Sequence, residues 1–191
     1  MMLRARYLVA SLFLIPVCVS AHPGHELTYS MLTGFRHPVV GLDHLLATLA
    51  VGFWSAQQSD RQRWVLPISF ILALLVGALW AGLDFVVPSI EPGIALSLLI
   101  LGFLVSNTKR LSLLPAVILI SVFALLHGYA HGSQMPALAD ESGYVLGFLL
   151  STVGLLALGA KGAKWLMLKT ERQVAPWLGA MIYMYGLTLL S

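Results

Sequence analysis

The feature that most constrains this chain is a succession of apolar stretches, each close to the roughly 20 residues an α-helix needs to cross a hydrocarbon core about 30 Å thick. Short loops hold nearly all of the charge between them. With 59% of residues hydrophobic and only 10% charged, the chain has too little polar surface to cover a water-soluble body of its size. Strand-like alternation of apolar and polar residues is absent, which favours a helical bundle over a barrel. The expected fold is all-α: a polytopic membrane bundle of six transmembrane helices in one domain, residues 22–191, behind a cleavable signal peptide at residues 1–21.

The signal peptide is expected from Arg4 and Arg6 as a basic start, Tyr7 to Val17 as an apolar middle, and Val19-Ser20-Ala21 as a small-residue cleavage site. An uncleaved first helix is the alternative, but an apolar run of about 11 to 13 residues is short for a span. The single cysteine, Cys18, falls in this segment, so the mature chain has no thiolate for a disulfide or a metal site.

Spans are expected near Pro38 to Ser55, Trp64 to Leu83, Ile90 to Val105, Leu111 to Tyr129, Tyr144 to Ala160 and Ala175 to Leu190. Basic residues then sort the loops. Arg61 and Arg63 follow the first span, Lys109 and Arg110 the third, and Lys161, Lys164, Lys169 and Arg172 the fifth; the other interhelical loops have none. The positive-inside rule makes the basic loops cytoplasmic and puts the mature N-terminus and the C-terminus in the periplasm of a bacterial inner membrane. The net charge of +3 thus serves topology and points to no nucleic-acid partner. Trp54, Trp64, Trp80, Trp165 and Trp177 are expected as interfacial anchors near span ends.

All six histidines fall into short clusters: His22 and His25 at the mature N-terminus, His37 with His44 beside Asp43, and His127 with His131. Ionisable residues inside a membrane are costly and mark pathways or sites by default. Pro38 suits a first helical turn, with His37 at the cap and His37, Gly41, His44 and Thr48 sharing one face. Asp43 stands about 100° around from His44, placed to contact a neighbouring helix or to orient an imidazole. His127 and His131, four residues apart, present two imidazoles on one side of a helix. At 1.5 Å per residue, His44 lies about 10 Å below the outer end of its span and His127 about 24 Å above the inner end of its own, so both sit in the outer half. Gly41, Gly128 and Gly132 are expected to let the two histidine helices approach closely. Imidazole plus carboxylate suits nickel, cobalt, zinc or copper(II) better than magnesium or calcium.

Two motifs give the chain a family resemblance. HPVVGLDHLLATLAVG from His37 and LHGYAHG from Leu126 to Gly132 resemble the signatures of the HupE/UreJ family of nickel and cobalt permeases, and the likeness extends over essentially the whole mature chain. It departs from that pattern at Gln134, where the family has a glutamate, and at Leu126, where it has an aromatic residue. The resemblance implies metal-handling roles for His37, Asp43, His44, His127 and His131, and a supply of nickel to hydrogenase or urease or of cobalt to cobalamin synthesis.

The expected function is therefore secondary uptake of Ni2+ or Co2+, with the ion as substrate and no resident cofactor. His22 and His25 would gather the ion outside, and His37, Asp43, His44, His127 and His131 would bind it within the membrane. No nucleotide motif or ATPase domain is encoded, so the partners are the ion, the bilayer and, left open, further copies of the chain. The alternatives are a membrane zinc hydrolase using His127, His131 and Asp43, and a haem protein pairing His44 with His127.

Overall fold

A computed structural model describes residues 25–83, 87, 89–108, 110–136, 138–168 and 174–190. The expected signal peptide, its cleavage site and His22 lie outside the described residues. Among those described, seven α-helices and no strand occur: α1 His25–Val40, α2 Leu42–Ala56, α3 Gln62–Ala81, α4 Glu91–Asn107, α5 Leu113–Ser133, α6 Glu141–Leu168 and α7 Val174–Thr188.

Helices α3, α5 and α6 are long and apolar enough to cross a membrane; α1 and α2 add a fourth candidate if the pair counts as one bent span, and α4 is apolar but shorter. Lipid-facing stripes match this reading: Ile68, Leu72, Val76 and Leu79 on α3, and Leu114, Ile118 and Val122 on α5, stay exposed at three- and four-residue intervals.

The expected first span is corrected at its start. Pro38 lies inside α1 rather than in a first turn, and the chain breaks at Gly41, whose φ of −73° and ψ of 105° are extended. The two helices on either side make an angle of 80°. Pro38 lacks an N–H and weakens the last turn of α1, and α2 restarts at once, with the Leu45 N–H donating to the Gly41 carbonyl at 2.8 Å. Asp43 in the first turn of α2 offsets the positive helix end. His37 and His44 therefore sit on two helices, not on one face of one.

Glycines set the packing. Along the α3–α5 seam, Gly77 rests on the backbone of Leu125, Gly128 on Leu74 and Ala78, and Gly132 on Ala78, with no room for a Cβ. Residue numbers rise together, so α3 and α5 run the same way. Along α6, Gly143 meets Leu27, Gly147 meets Met31 and Phe35, and Gly159 meets Leu49 and Phe53, so α6 runs alongside α1 and then α2 in the same direction. Between α4 and α7 the order reverses: Gly102 meets Tyr183 while Gly186 meets Ala95. The expectation that Gly128 and Gly132 draw the histidine helices together is thus corrected, because both glycines press on α3.

Two further expectations change. Trp54 is wholly buried in the core, whereas Trp64, Trp80, Trp165 and Trp177 are exposed as anchors would be. Helix α6 runs on past Ala160 to Leu168, so Lys161 and Lys164 lie on its last turns instead of in a loop.

Candidate metal centre

The break at Gly41 brings α2 into the bundle with His44 in its first turn, and the C-terminal turns of α5 deliver His127 and His131 to the same place. Ring centroids are 4.9 Å apart for His44 and His127 and 4.2 Å for His44 and His131, both edge on. His37, from the last turn of α1, closes on His131 at 4.7 Å. Four imidazoles from three helices therefore touch in series, although α2 and α5 do not pack backbone to backbone as a pair. His44, His127 and His131 are buried.

Hydrogen bonds set the ring tautomers. A carboxylate and a carbonyl can only accept, so His44 Nδ1–H donates to Asp43 Oδ1 at 2.9 Å and His127 Nδ1–H donates to the Phe123 carbonyl at 3.0 Å. Each bond leaves Nε2 as the bare nitrogen. His44 Nε2 and His127 Nε2 are both buried without a hydrogen-bond partner, and so is His131 Nδ1. His37 differs: it pairs with the side chain of Gln134. Asp43 thus takes the orienting role that its offset from His44 left open, through its own neighbour on α2.

Among the described residues, no group of three or more histidine, cysteine, aspartate or glutamate side chains has the arrangement that holds a metal ion. The rings meet edge to face, so seating an ion among them takes rotation of the rings about their side-chain bonds. A cavity of about 530 Å³ reaches the cluster at the bend, lined by Tyr29, Arg36, His37, Asp43, His44 and Gln134 among others. His25 opens α1, but its side chain lies outside the description, as does all of His22. Neither is placed relative to the cluster.

Other residues at the site gave little sequence signal. Phe148 packs against His131, its ring tilted by 56° at a centroid distance of 4.3 Å, and Tyr144 approaches His37 at 6.0 Å with its hydroxyl buried and unpartnered. Both belong to an apolar run that looks like any other span. Asp140 fastens the start of α6: its carboxylate accepts from the Ser142 hydroxyl and the Gly143 N–H, each at 2.7 Å, and its N–H donates to Ser30 Oγ at 2.8 Å. The Ser142 bond first, and the Gly143 bond second, hold that carboxyl below its usual range.

Residues 10–189 match the family described as HupE / UreJ protein. The Protein HupE of Rhizobium leguminosarum bv. viciae is 34% identical over 176 residues, covering 92% of each chain. No solved structure gives a significant match.

Proposed function

The chain belongs to the HupE/UreJ family, and from that premise we propose that it carries Ni2+ or Co2+ inward across the bacterial inner membrane through the histidine cluster. One observation carries the reading: three imidazole nitrogens, His44 Nε2, His127 Nε2 and His131 Nδ1, are buried without partners on rings that touch one another. An unmet buried polar atom costs about 1–3 kcal/mol. Concentrating several at one place is the mark of groups kept for a ligand.

The donor set suits the substrate. Neutral imidazoles favour nickel, cobalt, copper and zinc over magnesium and calcium, and Asp43 holds the His44 ring as a carboxylate behind a metal-binding histidine does. The cation enters by the cavity at the bend, passes His37 and Asp43, and is stripped of water as His44, His127 and His131 turn their bare nitrogens toward it. Binding competes with protons, so it weakens as pH falls. The chemistry is transport rather than bond cleavage. A zinc hydrolase would need Asp43 to join His127 and His131 as a ligand, whereas Asp43 bonds His44.

Six spans with both mature ends outside accord with the helix directions. Parallel α3 and α5, parallel α2 and α6, and antiparallel α4 and α7 are what alternate crossings produce. Metal passing through such a bundle would serve a nickel or cobalt enzyme such as hydrogenase or urease. Uptake by cells expressing the chain, with Ni, Co and Zn in competition, tests the proposal. The account expects Ni2+ or Co2+ to accumulate and His44→Ala/His127→Ala to abolish it; unchanged accumulation in that double variant removes the account.

A further inference from the structure

The cavity at the bend is not the only opening onto the cluster. A second cavity, about 300 Å³, lies between α3, α5 and α6 and is lined by His131, Met135, Glu141, Tyr144 and Phe148 together with apolar residues of α3. No residue lines both cavities. Two polar side chains in the second lining, His131 and Tyr144, are each only 3% exposed, and each has a buried atom without a partner, Nδ1 and the hydroxyl oxygen. On its other side the His131 ring touches His37 and His44, which line the first cavity.

Glu141 supplies the charge. It is the first residue of α6 and exposed, and its carboxylate has no hydrogen bond or ion pair among the described residues. Its neighbour Asp140 is engaged in holding the helix end, so the two acids have separate tasks.

Building on the transport reading, we propose that Glu141 and His131 form a second approach to the histidine cluster, taking a divalent transition cation separately from the Asp43 cavity. Imidazole nitrogen, carboxylate, phenol oxygen and the Met135 thioether form a set that suits nickel, cobalt or copper better than calcium or magnesium. An acid at the rim of a narrow cleft raises the local cation concentration, so its effect belongs on the apparent affinity. His131 then passes the ion to His44, whose ring is already in contact.

The test is Ni2+ uptake kinetics in the full-length protein, beside its thermal midpoint, for Glu141→Gln, Tyr144→Phe and Asp43→Asn, singly and with Glu141→Gln and Asp43→Asn combined. Glu141→Gln is expected to raise KM about threefold to tenfold, with the maximal rate and the melting temperature unchanged. Tyr144→Phe should raise KM less, and the combined variant should raise it above either single one. As a second reading, Gly82→Cys, at the end of α3 where the cavity opens, is labelled from outside in a Cys18→Ser background with a bulky membrane-impermeant thiol reagent that blocks this opening. Labelling should cut uptake at low Ni2+ even though the Asp43 cavity is untouched.

A wild-type KM in both Glu141→Gln and the labelled Gly82→Cys protein overturns the second approach; transport itself still stands if Asp43→Asn remains impaired. Lower melting and maximal rate in Glu141→Gln without a KM change overturns it too, by assigning Glu141 to the helix end alone. Full uptake by His44→Ala/His127→Ala would instead strike the transport reading on which the second approach depends.

Discussion

The two faces of α5 over residues 127–132 work in opposite ways. One face carries Gly128 and Gly132, pressed onto the backbone of α3 with no room for a methyl group. The other carries His127 and His131, whose bare nitrogens have no partner. The seam is fully satisfied packing, and the cluster leaves polar capacity unmet. A helix locked on one side can hold costly groups on the other, because their position does not depend on their own bonds. Stability and function therefore occupy adjacent residues of one short motif, and substitution should separate them.

The largest effect is expected from His44→Ala/His127→Ala, which removes two of the three bare nitrogens; metal uptake should fall to the level of cells lacking the protein. His127→Phe sharpens the contrast, since it keeps a ring of similar volume and removes an unmet atom. Its melting temperature should hold or rise, consistent with about 1 kcal/mol or more of relieved burial cost, while uptake is lost. A clear fall in stability would mean that His127 belongs to the packed face.

Gly128→Val is the opposite substitution, putting branched carbon into the main chain of Leu74 and Ala78. Overpacking of this kind costs on the order of 1–3 kcal/mol. The yield of folded protein, followed by size exclusion and thermal unfolding in detergent, should drop sharply. Normal yield and melting would show that the α3–α5 seam yields, and the comparison would fail on that side.

Asp43→Asn comes next. The amide can still bond His44 Nδ1 but no longer requires it to be the donor, so Nε2 is not reserved as the bare nitrogen. Loss of such a carboxylate behind a ligand weakens metal binding about 10–100-fold, measurable by equilibrium titration of purified protein. Gln134→Glu should do least: a carboxylate beside His37 gives about a twofold to threefold gain in apparent affinity, as a charge-assisted contact replaces a neutral one. A loss of affinity in that variant would show that the amide itself is required at His37.

The features legible in the sequence were those carried by spacing. Apolar run length gave the helices from Gln62 onward, and the four-residue interval of His127 and His131 placed both rings on one side of α5. Features that depend on tertiary partners were not legible. Pro38 is compatible with a first turn or with a weakened last one, and only the packing of α1 on α6 decides for the second. Residues 25–37 are too polar to look like a span, yet Leu27, Tyr29 and Leu32 turn outward from a helix. Gly128 and Gly132 announced a close approach but not its partner. Trp54 resembles its exposed counterparts in every local respect and is buried because α2 enters the bundle at an angle that the sequence does not state. The separate cavity beside Glu141 was likewise hidden, because one of its walls comes from α3, far in sequence from the end of α5 and the start of α6 that form the rest.

X-ray absorption at the nickel edge of the purified, metal-loaded protein, beside the His44→Ala/His127→Ala variant, tests the central claim most directly. The account predicts multiple-scattering features of at least two imidazoles around the bound nickel, lost in the variant. A spectrum of oxygen ligands alone, or one unchanged by the substitutions, would contradict it.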